Sequence, residues 1–82
     1  MRVRVLYFAA VRELVGLEEE ALELPASVHT IRDFVALLAD QRPTLAGSLS
    51  SVRIARNEVF ADAGDALGEG DVLALIPPVA GG

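Results

Sequence analysis

Several residue types that carry side-chain chemistry are missing from this chain of 82 residues. It has no cysteine, no lysine and no tryptophan, and it has one histidine, His29. Without cysteine, the chain cannot form a disulfide, a thiolate metal site or a persulfide of its own. A single histidine excludes a metal site built from several histidines, and we interpret His29 as a surface residue. Without lysine, no side-chain amine can accept an isopeptide bond, so the protein could not build chains on itself.

The net charge of the chain argues against one class of partner, nucleic acid. The formal net charge is −5, and all seven basic residues are arginine. Binding to nucleic acid requires a basic surface that displaces counterions, so it is not expected here.

The chain opens into a strand pattern and has no long apolar segment, which argues against a secretory signal or a membrane span and favours the cytoplasm. A hydrophobic content of 52% can supply a core, and we expect one domain over residues 1–82.

The start of the chain predicts a strand followed by a short helix. Residues 2–7 alternate apolar and charged side chains, which indicates a half-buried strand. Leu6 and Phe8 break this alternation because they add apolar groups to the side that carries the arginines. Residues 9–15 have helical spacing and end at Gly16, a residue type that often ends helices.

The next stretch, residues 17–24, is the most ambiguous. Its glutamate, alanine and leucine content favours a helix. Its short length and its alternation instead predict a strand that pairs with the first one. We interpret the Glu18–Glu20 run as a solvated edge that resists aggregation.

The main helix is predicted to begin at Thr30, where Asp33 can complete a cap and favour the helix dipole. Pro43 should end it. Its apolar stripe has i, i+3, i+4, i+7 spacing and consists of Ile31, Phe34, Val35 and Leu38. Residues 44–50 then predict a polar loop with one turn, and residues 51–56 and 59–60 predict two short strands around a turn at Asn57.

The last strand and the residues after it give the chain its most distinctive feature. Residues 72–76 form an unbroken apolar run, which predicts a strand buried on both faces. Pro77 and Pro78 end it, because neither can donate to a sheet ladder. Residues 77–82 are expected to form an extended, flexible tail with a free carboxylate. Its last residues are Val79, Ala80, Gly81 and Gly82, and two glycines without Cβ atoms can enter a slot too narrow for other residues.

This order of elements predicts an α+β fold of the β-grasp type. A mixed sheet would pack on one main helix, with a short extra helix after the first strand. The main helix would cross over, so that the first and last strands run parallel at the centre of the sheet.

Two segments resemble those of a known family, the small sulfur-carrying subunit of molybdopterin synthase, which is a ubiquitin-like β-grasp protein. These are YFAAVRELVG at residues 7–16 and the stretch from Gly70 to Gly82, which begins with GDV and ends with PPVAGG, with Asn57 fitting as well. The resemblance spans essentially the whole chain. It implies that a separate adenylating enzyme uses ATP to form an acyl adenylate on Gly82, and that a sulfurtransferase then supplies sulfur to give a thiocarboxylate.

The resemblance also implies how that sulfur is used. The tail, from Pro77 to Gly81, would insert into the large synthase subunit within a heterotetramer. There the sulfur on Gly82 would pass to cyclic pyranopterin monophosphate and form the dithiolene of molybdopterin. This protein would bind no cofactor stably and would act as a co-substrate as much as an enzyme subunit.

The strand phases predict that Phe8 and Phe60 point outward and, with Ile76 beside the tail, form a partner interface on the helix-free face of the sheet. The alternative is that the two phenylalanines fill the core beside the short helix. Other functions also stay open at this point: a sulfur carrier for thiamine or tRNA thiolation, a ubiquitin-like protein modifier, or a plain binding module with an incidental tail.

Overall fold

A five-stranded mixed sheet with helices on one face makes up the fold in this computed structural model, which describes residues 1–78. Residues 79–82, the end of the expected tail, lie outside the described part. In chain order the elements are β1 (Arg2–Tyr7), α1 (Ala9–Val15), β2 (Glu19–Glu23), α2 (Ile31–Gln41), α3 (Pro43–Ala46), a 3-10 turn (Leu49–Ser51), β3 (Arg53–Arg56), β4 (Val59–Phe60) and β5 (Val72–Ile76).

The strands lie in the order β2-β1-β5-β3-β4 across the sheet. β1 and β5 pair in parallel, β2 pairs antiparallel with β1, and β3 pairs antiparallel with β5. A parallel pair needs a crossover between its strands, and the chain between β1 and β5 supplies one that contains α2. The predicted α+β fold of the β-grasp type is confirmed, including the short helix that follows the first strand.

The prediction that β5 is buried on both faces is wrong. Leu73 and Leu75 are fully buried, whereas Val72, Ala74 and Ile76 are half-buried. β5 is central in the sheet, but the helices cover only one of its faces. The apolar run therefore serves two surfaces, the core on one side and an open sheet face on the other.

The main helix begins at the predicted cap. Thr30 Oγ1 accepts a hydrogen bond from the Asp33 N–H (3.3 Å), and Asp33 Oδ2 accepts one from the Thr30 N–H (3.2 Å). This reciprocal pair satisfies donors at the helix start that no helical carbonyl can reach. Three residues of α2 are buried: Ile31, Phe34 and Leu38. They belong to the predicted stripe and form the core side of the helix.

The chain after α2 is more helical than predicted. α3 begins at Pro43, at the first helical position, where a missing N–H costs little. Leu45 and Leu49 are buried and anchor this segment. Because the 3-10 turn occupies residues 49–51, the third strand begins at Arg53 and is shorter than the predicted 51–56.

The core lies between α2 and the covered face of the sheet. The two central strands, β1 and β5, contribute alternate residues to it, as the period of a half-buried strand requires. Its largest fully buried side chains are Tyr7, Phe34, Leu38, Leu45, Leu73 and Leu75.

Glu20 does not belong to a solvated edge, which corrects the interpretation of the Glu18–Glu20 run. Its carboxylate accepts hydrogen bonds from the Arg42 guanidinium (2.6 to 3.0 Å) and from the Tyr7 hydroxyl. The alternation of β2 turns Glu20 toward the core side and leaves Glu19 exposed. Burial, together with the adjacent Glu20 carboxylate, raises the pKa of Tyr7, so the phenol remains a donor at neutral pH. This network joins β1 and β2 to the end of α2.

Candidate functional site

The C-terminal tail leaves the sheet from its central strand. β5 ends at Ile76, which pairs across the sheet with Arg53, and Pro77 and Pro78 follow without regular structure. Pro77 is half-buried and Pro78 is exposed. Residues 79–82 lie outside the described residues. The predicted roles of the tail in insertion and of Gly82 in acyl chemistry therefore stay predictions.

An apolar patch lies beside this exit, on the sheet face that points away from α2, which we call the open face. The members of the apolar patch are Leu6, Phe8, Ala55, Phe60, Ala74 and Ile76. Cross-strand pairing places Leu6 and Ala55 on either side of Ala74, and Phe60 beside Ala55. Side chains paired in this way project from the same face. The patch therefore crosses β1, β5, β3 and β4 next to the root of the tail.

The two phenylalanines of the patch are exposed, as the strand phases predict. Phe8 is 39% exposed and Phe60 is 51% exposed. The backbone of Phe8 is extended (φ −120°, ψ 151°), so it continues the alternation one residue beyond β1. The alternative in which both rings fill the core therefore does not hold. The use of Phe8, Phe60 and Ile76 as a partner interface stays a prediction.

Arg53 adds a cation to the apolar patch. Its guanidinium carbon is 3.7 Å from the centroid of the Phe60 ring. Such a stack contributes about 0.5–1 kcal/mol at an exposed site and restricts the orientation of the guanidinium. Sequence reasoning missed this residue. The alternation of the third strand shows from the sequence that the Arg53 side chain points outward. Its approach to Phe60, however, depends on the register between β3 and β4.

A buried carboxylate fixes the turn between β3 and β4. Asp71 is 7% exposed and accepts hydrogen bonds from the Gly68 N–H (2.7 Å), Asn57 Nδ2 (2.9 Å) and Arg56 Nη1 (3.4 Å). Asn57 Oδ1 in turn accepts one from the Val72 N–H (2.9 Å). Burial by itself would raise the pKa of Asp71, but these three donors outweigh it and hold the pKa below its usual value.

Asn57 also suits the backbone of this turn. Asn57 and Glu58 both have positive φ, 51° and 72°. Two-residue hairpin turns of this kind favour asparagine, because its short polar side chain tolerates the left-handed region. The turn carries β4 and thereby positions Phe60 on the open face.

Replacing Asp71 by Asn is expected to lower the free energy of unfolding by about 1–3 kcal/mol at neutral pH, because an amide NH2 would face donors. The pKa of Asp71 is lower in the folded protein than its unfolded value of 3.8, so the ionised carboxylate stabilises the fold at pH values above 3.8. This stabilisation is lost as the pH falls through the pKa of the folded state. Denaturant unfolding is measured at neutral pH and below about pH 4. The free energy of unfolding should fall less on acidification for Asp71→Asn than for the wild type. Asp40→Asn, which changes an exposed carboxylate on α2, is the matched control. Equal acid sensitivity of Asp71→Asn and the wild type would contradict this role.

Within residues 1–78, no group of three or more His, Asp or Glu side chains is arranged to hold a metal ion. The helices of the same residues include none that is long and apolar enough to cross a membrane.

The fold and the exit of its tail beside an open apolar face define a small ubiquitin-like protein. Residues 5–82 match the ThiS family. The chain belongs to this family.

Relatives and solved structures extend this assignment over the full chain. The molybdopterin synthase sulfur carrier subunit of Chlamydomonas reinhardtii is 37% identical over 84 residues, which cover 100% of both chains. The resemblance drawn from the sequence is thereby confirmed. A chain in a complex of subunits 1 and 2 of molybdopterin-converting factor from Helicobacter pylori has a TM-score of 0.73 and 28% identity, with 100% of both chains covered. The small archaeal modifier protein 1 of Haloferax volcanii has a TM-score of 0.83 and 26% identity, covering 95% of this chain and 98% of that one.

Proposed function

We propose that this protein carries sulfur for molybdopterin synthesis as a thiocarboxylate on Gly82. The observation that carries the proposal is that Ile76 both ends the central strand and belongs to the apolar patch. A partner that binds the patch therefore receives the tail in one defined direction. Full-length similarity to a molybdopterin synthase sulfur carrier subunit supports the same function.

The chemistry begins with activation of the Gly82 carboxylate. A carboxylate is a poor electrophile, so an adenylating enzyme joins it to AMP at the expense of ATP and releases pyrophosphate. Sulfur from a sulfurtransferase then attacks the acyl carbon, and AMP leaves. If the donor is a persulfide, a second thiol reduces the resulting acyl disulfide to the thiocarboxylate. The partners supply the catalytic groups, and we place these steps in the cytoplasm.

Sulfur delivery takes place in the large synthase subunit. The tail, from Pro77 to Gly81, reaches into that subunit and presents the thiocarboxylate to cyclic pyranopterin monophosphate. The sulfur passes to the pterin, and water returns Gly82 to a carboxylate. The solved complex of subunits 1 and 2 of molybdopterin-converting factor supports such an assembly. We propose a heterotetramer in which the apolar patch is the contact with the large subunit.

Reconstitution with intact-protein mass spectrometry tests the function. The purified protein, incubated with the adenylating enzyme, ATP and the sulfurtransferase, should gain the mass that corresponds to replacement of one oxygen by sulfur. Adding cyclic pyranopterin monophosphate and the large subunit should reverse this gain and produce molybdopterin. Omitting the large subunit is the control, in which the thiocarboxylate should persist. A protein that is never thiolated, or whose thiocarboxylate survives the complete mixture, would contradict the proposal.

A second candidate function is protein modification, which the likeness to a small archaeal modifier protein favours. In that case Gly82 would be joined to a lysine of a target protein. Mass spectrometry of the protein from its native cells separates the two functions. A terminus found mainly as a conjugate would favour the modifier, and one found mainly as a thiocarboxylate would favour the carrier.

A further inference from the structure

We propose that Arg53 determines partner specificity, by pairing with a carboxylate that the large synthase subunit places at the centre of the contact. The inference rests on the proposed function and adds to it a named cation and a required partner group. It follows from where the guanidinium lies and from what happens to it when the apolar patch is covered.

Arg53 lies inside the patch. It is the cross-strand neighbour of Ile76 on β5, and its guanidinium stacks on Phe60 of β4. Ile76 is followed directly by the root of the tail. A partner surface that covers both Ile76 and Phe60 must therefore also cover Arg53.

Covering Arg53 removes water from its guanidinium. A buried cation without a partner is strongly unfavourable, because no protein dipole replaces the lost hydration. Within residues 1–78, Arg53 forms no ion pair, whereas Arg4 on the same face lies 3.4 Å from the Glu19 carboxylate. The compensating acceptor must therefore come from the partner.

A carboxylate is the acceptor that fits best. The planar guanidinium donates two parallel hydrogen bonds to a carboxylate, and the Phe60 ring already restricts its orientation. The chain carries a net charge of −5, so most of its surface repels an acidic group. A carboxylate of the partner is attracted to the local cation at Arg53, which sets the register of the complex and disfavours partners without that group.

Arg53 acts in docking and not in the chemistry at Gly82. Gly82 lies six positions after Ile76 in the sequence. A fully extended segment of that length spans about 20 Å, well beyond the reach of one side chain. We assign the contact to the large subunit because the solved complex of subunits 1 and 2 of molybdopterin-converting factor contains a chain similar to this one over its whole length.

Calorimetric titration of the large subunit with Arg53 variants at low and high salt tests the assignment. Arg53→Gln should weaken binding roughly tenfold or more at low salt and reduce its salt dependence, because the partner carboxylate loses its cation. Arg53→Lys, which keeps the charge, should recover part of the affinity. Arg32→Gln removes the same charge from the exposed side of α2 and should change binding less than about twofold.

The melting temperature of Arg53→Gln is measured in parallel and should match that of the wild type to within a few degrees. The role of Arg53 is overturned if Arg53→Gln binds the large subunit like Arg32→Gln, or if its binding keeps the salt dependence of the wild type. These results differ from a failure of the proposed function, in which the wild type would neither bind the large subunit nor deliver sulfur to it.

Discussion

Appending a single residue after Gly82 is expected to abolish sulfur transfer and to leave the fold intact. The terminal carboxylate would then belong to the added residue, and the carbonyl of Gly82, now part of a peptide bond, can be neither adenylated nor thiolated. The core ends at Leu75, so the extension adds nothing to packing in the described part of the chain. Activity is measured as molybdopterin formed in the reconstituted mixture, and folding as the thermal melting temperature.

The best control for this experiment is the extended protein itself. An extension that a protease removes directly after Gly82 allows one sample to be assayed before and after cleavage, and activity should return on cleavage. Deleting Gly82 should abolish transfer in the same way. An extended protein that still delivers sulfur would refute the carrier mechanism, because its only activatable carboxylate would be in the wrong place.

Replacing Phe60 by Asp is expected to weaken binding to the large subunit by about 2–4 kcal/mol, which is typical of an aromatic side chain at the centre of an interface. The change places a carboxylate in a contact that excludes water. The isolated fold should lose less than about 1 kcal/mol, because Phe60 is 51% exposed and has little packing to lose. Calorimetric titration and thermal melting of the same variant measure the two effects separately.

Val59 provides a matched control for this substitution. It is the neighbouring residue on β4 and is 69% exposed, but the alternation of the strand turns it away from the apolar patch. Val59→Asp introduces the same charge one residue away and should leave binding within about twofold of the wild type. If Phe60→Asp melts far below the wild type, or if both variants lose affinity equally, the open face is not the interface we propose.

Much of the fold could be predicted because its signals are local. The left-handed Gly16 (φ 83°) ends α1, and the Thr30 and Asp33 pair begins α2, so each boundary is encoded within a few residues. The strand at residues 19–23 was also predictable, because alternation outweighed its helix-forming composition. The same alternation could have placed Glu20 on the core side, had the three glutamates not been treated as one run.

The parts that could not be predicted depend on distant contacts. The apolar composition of β5 is the same whether its second face meets a helix or stays open, so sequence alone could not tell these cases apart. The stack of Arg53 on Phe60 requires the register between β3 and β4, which the turn at Asn57 sets. A functional role for residues 79–82 was predicted from their composition and from family resemblance, and it stays a prediction.

The apolar patch also has a consequence for quality control during protein synthesis. Its members are far apart in the sequence and meet only when β1, β3, β4 and β5 have paired. An unfolded copy carries the same terminal glycines but cannot display Phe8, Phe60 and Ile76 side by side. Enzymes that recognise this surface would therefore act on completed molecules in preference to unfolded ones. Folding would then act as a proofreading step, which keeps ATP and sulfur from being spent on defective copies.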